Sequence, residues 1–214
     1  EAISTKAPAG LTCRLRVIEN GGHVPPDALV EGLRVLFQGW KITRRLTESS
    51  FAEIRAQADG RLERFGVPGR IDEDALGSLG NSLLGEKKFA KALEVLEYRA
   101  ASYPQSADAQ VGLGDAYRES GNLEKARECY ERALAAQETL GDRGAVAATL
   151  GNIGNIHYRL GQFAKALSFY ERVLVEQAAL GDEAGAARTL GNIGVVHERR
   201  GDYAKALSCQ ERAL

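Results

Sequence analysis

The sequence predicts a mainly α-helical chain, a right-handed superhelix of stacked helical hairpins preceded by a short strand-and-helix segment. Three observations carry this. The stretch TLGNIGNIHYRLGQFAKALSFYERVL (Thr149–Leu174) returns forty residues later as TLGNIGVVHERRGDYAKALSCQERAL (Thr189–Leu214), with 17 of 26 positions identical. A recurring glycine extends the phase backwards, through Gly80, Gly114, Gly154 and Gly194, in steps of 34, 40 and 40 residues. The first seventy residues share none of this phase; Leu11, Cys13, Leu15 and Val17 alternate there with Thr12, Arg14 and Arg16, the period-2 pattern of a strand.

Within each unit the anchor glycine sits on an apolar stripe of helical spacing. The stripes are Leu76/Leu79/Leu83, Gln110/Leu113/Tyr117, Leu150/Ile153/His157 and Leu190/Ile193/His197. Twelve residues beyond each glycine stands an alanine: Ala92, Ala126, Ala166 or Ala206. Small residues at fixed offsets on two consecutive stripes predict two helices whose backbones approach closely. Gly121, Gly161 and Gly201 fall just past the first helix, where a left-handed residue ends it. The first unit has Lys87 at that place, so its turn is expected to be less favourable. Units three and four each carry six extra residues, in AAQETLGDRGAVAATL and VEQAALGDEAGAARTL. Their preceding helices are expected to run on to Leu140 and Leu180 and stop at Gly141 and Gly181, with Asp142 and Asp182 capping the next helices.

This layout resembles the tetratricopeptide repeat, whose W-x2-L-G-x2-Y…A…F…A…P pattern it follows from about residue 73 to 214, Pro104 closing the first unit. The forty-residue form is similar to the repeats of kinesin light chains and related cargo-binding scaffolds. Four units are expected, at about 73–106, 107–140, 147–180 and 187–214. A single hairpin buries too little alone, so the units should stack, with the first helices lining a concave groove. The resemblance implies that this groove presents Asp74, Asn81, Asp108, Asp115, Arg118, Asn152, Asn155, Arg159, Arg188, Asn192 and Arg199. Asn152 and Asn192 are equivalent, and in the family an asparagine there bonds the backbone of an extended peptide; an amide offers both donor and acceptor. Packing between helices is the competing use for the same amides. The first two units hold Ser78 and Gly112 at that position, and the Lys/Asn pattern that clamps a chaperone's terminal carboxylate is absent.

Two other motifs reduce to packing. His157 and His197 occupy the slot of the family tyrosine, and equivalent points on stacked helices lie about 10 Å apart, too far for one metal at about 2 Å. The LGNIG glycines neither follow a strand nor match a phosphate-binding spacing. No metal and no cofactor are expected.

Before the repeats, residues 1–45 and a connecting stretch at 46–72 obey other rules. A strand over 11–17, the turn ENGGH, and Pro25-Pro26-Asp27 opening a helix through Trp40 are expected, with a second helix over about 50–65. The segment RVIENGGHVPPDALVEGLRVLFQGWKI resembles the carboxyl-terminal strand, histidine loop and helix of α/β-hydrolase serine esterases related to bacterial siderophore esterases, some of which carry a tetratricopeptide tail. The resemblance implies that His23 is the general base of a Ser-Asp-His triad. No GxSxG occurs in the chain, and only 22 residues precede His23, so nucleophile and acid would lie outside it.

Composition adds exclusions. With 28 Lys+Arg against 29 Asp+Glu, nothing drives the chain toward nucleic acid or an anionic membrane. No apolar run reaches membrane-spanning length. Cys13, Cys129 and Cys209 form no metal or redox spacing and suit a reducing, cytoplasmic compartment. The start on Glu1 and the absence of methionine read as a piece of a longer polypeptide. The expected function is a repeat scaffold for protein or peptide binding or self-association, attached to an esterase-like domain. Its uncapped last repeat is expected to favour a homodimer. The alternative is the carboxyl-terminal part of a serine carboxylesterase.

Overall fold

The computed structural model describes residues 51–53, 55–56 and 71–213. The expected strand over 11–17, the helix after it and His23 lie outside these residues. Residues 51–53 and 55–56 are helical, and Phe51 is buried against Tyr98 with ring centroids 5.2 Å apart.

Eight further helices lie in the described residues: α1 (Glu73–Gly85), α2 (Phe89–Ser102), α3 (Ala107–Glu119), α4 (Leu123–Leu140), α5 (Arg143–Arg159), α6 (Phe163–Leu180), α7 (Glu183–Arg199) and α8 (Tyr203–Ala213). They pair as four hairpins, and each hairpin packs against the next. Short polar side chains start most helices by accepting a backbone N–H that no helical carbonyl reaches. Asp72 accepts from Ala75 at 3.0 Å, Ser106 from Ala109 at 3.0 Å, Asp142 from Ala145 at 3.0 Å and Asp182 from Gly185 at 2.8 Å.

The six extra residues of units three and four lengthen helices rather than loops. Helices α4 and α6 run to Leu140 and Leu180, and Gly141 and Gly181 end them with φ of 71° and 67°. Helices α5 and α7 then begin at Arg143 and Glu183, four residues ahead of the unit starts phased from the sequence. Each of the four helices is a turn longer than α2 or α3, while the connection shrinks to two residues. The added turns bring Gln177 and Thr189 together, both buried, with the Thr189 hydroxyl donating to Gln177 Oε1 at 2.9 Å.

Closure within a hairpin depends on the anchor glycines. A Cβ on Gly114 would stand 2.7 Å from the Tyr130 ring, one on Gly154 2.7 Å from the Tyr170 ring, and one on Gly80 2.5 Å from the Leu96 side chain. Ala92, Ala126 and Ala166 are fully buried beside these contacts. The fourth hairpin differs. Gln210 takes the ring's place and is exposed, and a Cβ on Gly194 would meet nothing closer than 3.5 Å.

The first hairpin turns on a strained residue. Lys87 has φ of 58°, where the later hairpins use Gly121, Gly161 and Gly201. The hydrogen bonds are nevertheless the same: Lys88 N–H reaches Leu83 O at 2.9 Å, as Asn122 N–H reaches Tyr117 O at 2.8 Å. The first unit also buries a charge. Arg99 occupies the slot of Ala133 and Val173, and its guanidinium bonds Glu73 at 3.0 Å and the Asp108 carbonyl at 3.3 Å. Gly77 and Gly112 flank that guanidinium, each leaving room that a Cβ would crowd.

These contacts set the sign of three substitutions. Gly154→Ala should cost at least about 1 kcal/mol, because overpacking a filled contact outweighs the gain in helix propensity. Gly194→Ala should instead gain up to about 1 kcal/mol, and Lys87→Gly about 1 kcal/mol by relieving the left-handed backbone. Urea midpoints of the three variants check both sign and order.

Candidate functional site: the first-helix face

Cross-unit hydrogen bonds show how the helices are layered. Arg159 Nη1 donates to the Arg118 carbonyl at 3.5 Å and Arg199 Nε to the Tyr158 hydroxyl at 3.2 Å, so α3, α5 and α7 lie side by side. Helix α1 packs beside α3 in the same layer. The second helices form the other layer, where Arg172 of α6 pairs with Glu138 of α4 at 3.1 Å. On each first helix, residues spaced by four, three and four share one face. These are Asp74/Ser78/Asn81/Gly85, Asp108/Gly112/Asp115/Glu119, Ala148/Asn152/Asn155/Arg159 and Arg188/Asn192/Val195/Arg199.

The candidate residues on this face divide by what they bond. Asp115 and Asn155 are tied to the core: Tyr130 donates to Asp115 Oδ1 at 2.7 Å and Tyr170 to Asn155 Oδ1 at 2.6 Å. Arg118 pairs with Asp115 at 3.2 Å and with Glu119 at 3.1 Å. Asn81, Asn152 and Asn192 make no side-chain hydrogen bond among the described residues, and Asn192 and Arg188 are exposed. Sequence reasoning missed the tyrosine bonds. A signal was present: a tyrosine fifteen residues beyond the polar residue occurs only where that residue is Asp115 or Asn155, whereas Asn81 faces Leu96 and Val195 faces Gln210 in the same register.

The histidines serve packing. His157 is buried, stacks on Phe169 at 5.2 Å between centroids, and its Nδ1 lies 2.6 Å from Gln162 Oε1. His197 Nδ1 lies 3.4 Å from Asp202 Oδ2. Among the described residues no group of three or more His, Cys, Asp or Glu is placed to hold a metal, and no helix is long and apolar enough to cross a membrane.

Buried hydroxyls give the layer a pH limit. Burial raises the Tyr170 phenol to about 12. It raises Tyr130 and Tyr117 as well, helped by hydrogen bonds to Asp115 and Glu97 that hold the proton. Ionisation at Cys129 is likewise disfavoured by burial.

Stacked helical hairpins with a continuous first-helix layer define a solenoid scaffold, the kind of protein whose neighbours along the chain supply its core. The tetratricopeptide repeat family model matches residues 74–139, 105–174 and 145–214, so the chain belongs to that family. Among solved structures it is similar to BtubC from P. vanneervenii, with 25% identity and a TM-score of 0.62 over 87% of this chain and 78% of that one. It is also similar in fold to MamA, with 22% identity and a TM-score of 0.56 over 66% of this chain and 76% of that one. No curated protein matches the chain.

A phenol whose folded pKa is raised stabilises the fold fully below its unfolded value near 10 and loses that contribution as pH rises toward the folded value. Melting temperature should therefore be flat from pH 7 to 9 and fall steeply above about pH 10. Tyr170→Phe should lower stability at neutral pH but shallow the alkaline fall, as read from melts at half-unit steps of pH.

Proposed function

We propose that the protein is an interaction scaffold that holds an extended peptide along its first-helix face. One observation carries this reading: Asn152 and Asn192 stand at equivalent positions on adjacent helices, with amides that no other described side chain or backbone group engages. His157, Gly114, Gly154 and Asn155 are occupied by packing, and Arg159 and Arg199 donate to the preceding first helix, which leaves this pair as the repeated amide without a partner. An amide donates and accepts at once, so two of them in register suit the alternating N–H and C=O of an extended backbone. Two buried free thiols, Cys129 and Cys209, suit the reducing, cytoplasmic compartment proposed for it.

Self-association is a second element of the proposal, and α8 supports it. Tyr203 and Leu207 are 71% and 57% exposed. Their equivalents Phe163 and Leu167 pack against the cluster of Ala166, Tyr170, Ile193, Val196 and Cys209. A second copy covering this face would remove the same apolar surface from water. The attachment to an esterase-like domain rests on the residues around His23 alone; the corresponding second reading makes the parent polypeptide a serine ester hydrolase.

Asn152→Ala combined with Asn192→Ala should leave the melting temperature within a few degrees of wild type and weaken a selected peptide ligand at least tenfold. Unchanged affinity in a folded double variant would count against the face. For self-association, sedimentation velocity of Leu207→Glu should show a monomer at concentrations where wild type is dimeric. A chromogenic short-chain acyl ester should not be turned over by this chain, with or without His23→Ala.

A further inference from the structure

The first hairpin is shorter than the units that follow, and the difference leaves a ledge on the second-helix layer. Helix α2 has 14 residues and α4 has 18. Counted from the anchor alanines Ala92 and Ala126, Pro104 falls at the place of Glu138, and α2 has already ended at Ser102. The last turn of α4 therefore has no described helix turn beside it on the side of unit one.

The next seam shows what this side of a second helix is built to receive. On α6, Arg172 meets Glu138 of α4 at 3.1 Å and Glu176 meets Arg143 at 3.7 Å. Leu180 stands one turn further along the same stripe. The end of α4 and the start of α5 thus lie against the stripe Arg172, Glu176 and Leu180. Forty residues earlier, the equivalent stripe on α4 is Arg132, Ala136 and Leu140. Among the described residues nothing takes the part of Glu138 or Arg143 there. Arg132 is exposed with no carboxylate in ion-pair distance. Leu140 is 78% exposed, against 49% for Leu180. Arg212 of α8 is unpaired for another reason: the neighbouring helix is present, with Ala178 in the place of Glu138. At Arg132 the missing pair goes with a missing helix turn and an uncovered leucine.

We propose that this ledge is a second interaction surface, separate from the first-helix face, and that it takes an amphipathic α-helix of another protein. Arg132 and Leu140 stand eight residues apart, about 12 Å along the axis. The fitting helix therefore carries a carboxylate and an aliphatic side chain two turns apart on one face, with an apolar residue between them over Ala136. Its carboxylate does for Arg132 what Glu138 does for Arg172, and its aliphatic residue removes Leu140 from water. A helix suits the site because helix termini fill the equivalent place one unit on. A second copy suits it less, because two ledges facing across a two-fold axis would set Arg132 against its own counterpart.

The test uses a side-chain-stapled helical peptide with Glu, Leu and Leu at positions i, i+4 and i+7 of one face. It is titrated into the 214-residue protein and followed by methyl and amide NMR. Saturable shifts are expected at Arg132, Ala136 and Leu140, and none at Asn152 or Asn192. Leu140→Ser with Arg132→Glu should weaken binding at least tenfold and keep the melting temperature within a few degrees of wild type. A probe with Lys in place of Glu should bind wild type at least fivefold more weakly and regain affinity for Arg132→Glu, an exchange that a merely structural arginine does not produce. No shift on the ledge at about 1 mM peptide would overturn the proposal, as would equal binding of the Glu and Lys probes. Binding kept in the ledge variant but lost on Asn152→Ala with Asn192→Ala would overturn the ledge and leave the first-helix face standing. A wild-type dimer that Leu140→Ser alone dissolves would overturn the foreign helix in favour of a second copy.

Discussion

The contact between an anchor glycine and the ring or side chain opposite it governs both layers of this protein. At Gly114 and Gly154 the missing Cβ lets a tyrosine of the second helix lie against the first helix's backbone. The ring fills the hairpin, and its hydroxyl emerges beside the next residue, Asp115 or Asn155, on the outward face. Core closure and surface chemistry are thereby joined in one triplet. Any change in the glycine moves the ring, and any movement of the ring releases a face residue from its bond. Unit four shows the triplet relaxed as a whole: Gly194 has room above it, Val195 has no acceptor and Gln210 is exposed.

The longer units extend this logic. Adding a turn to each of α4, α5, α6 and α7 lengthens the seam between one hairpin and the next, and the two-residue connections Gly141-Asp142 and Gly181-Asp182 supply both the stop and the following cap. A longer seam carries polar groups into the interior. Thr189 answers one of them by bonding Gln177. Arg99 is the counterpart in the short first unit, a charge set between two glycines and neutralised by Glu73. Such a group adds little net stability over an apolar side chain, but it penalises any register in which Glu73 is not opposite.

Most of the repeat architecture was legible because its determinants are local and recur. Glycine at a left-handed turn, Asp at a helix start and an apolar stripe each announce themselves within a few residues, and four copies fix the phase. The strained Lys87 was legible for the same reason, as a departure from a repeated rule. What escaped notice spans fifteen residues or more and joins unlike side chains: Tyr130 with Asp115, Tyr170 with Asn155, Arg99 with Glu73. Reading them requires knowing which helix faces sit opposite, and this emerges only after packing. The assignment of Asp115 and Asn155 to an outward groove was thus incomplete, since each also serves the hairpin behind it. The starts of α5 and α7 were legible too, because the expected caps Asp142 and Asp182 do cap them, accepting from Ala145 and Gly185.

The pattern of repetition itself separates the two roles of a first helix. Between units three and four the block from Thr149 to Gly154 recurs unchanged as Thr189 to Gly194, and it contains the buried Thr189, Leu190 and Ile193 together with the outward Asn192. Both helices diverge around that block: Ala148 and Asn155 of the first helix become Arg188 and Val195, Phe169 and Tyr170 of the second become Cys209 and Gln210, and only Ala206 and Cys209 of α8 are buried. If stacking alone preserved these units, the buried ring of Tyr170 should recur as faithfully as Leu150 does. Instead the unit that has lost its ring keeps the outward amide and its flanking bare glycine. Within the recurring block, packing and surface share a single turn of helix: Leu150 and Leu190 are buried, while Asn152 and Asn192 stand two positions on, at the outward places.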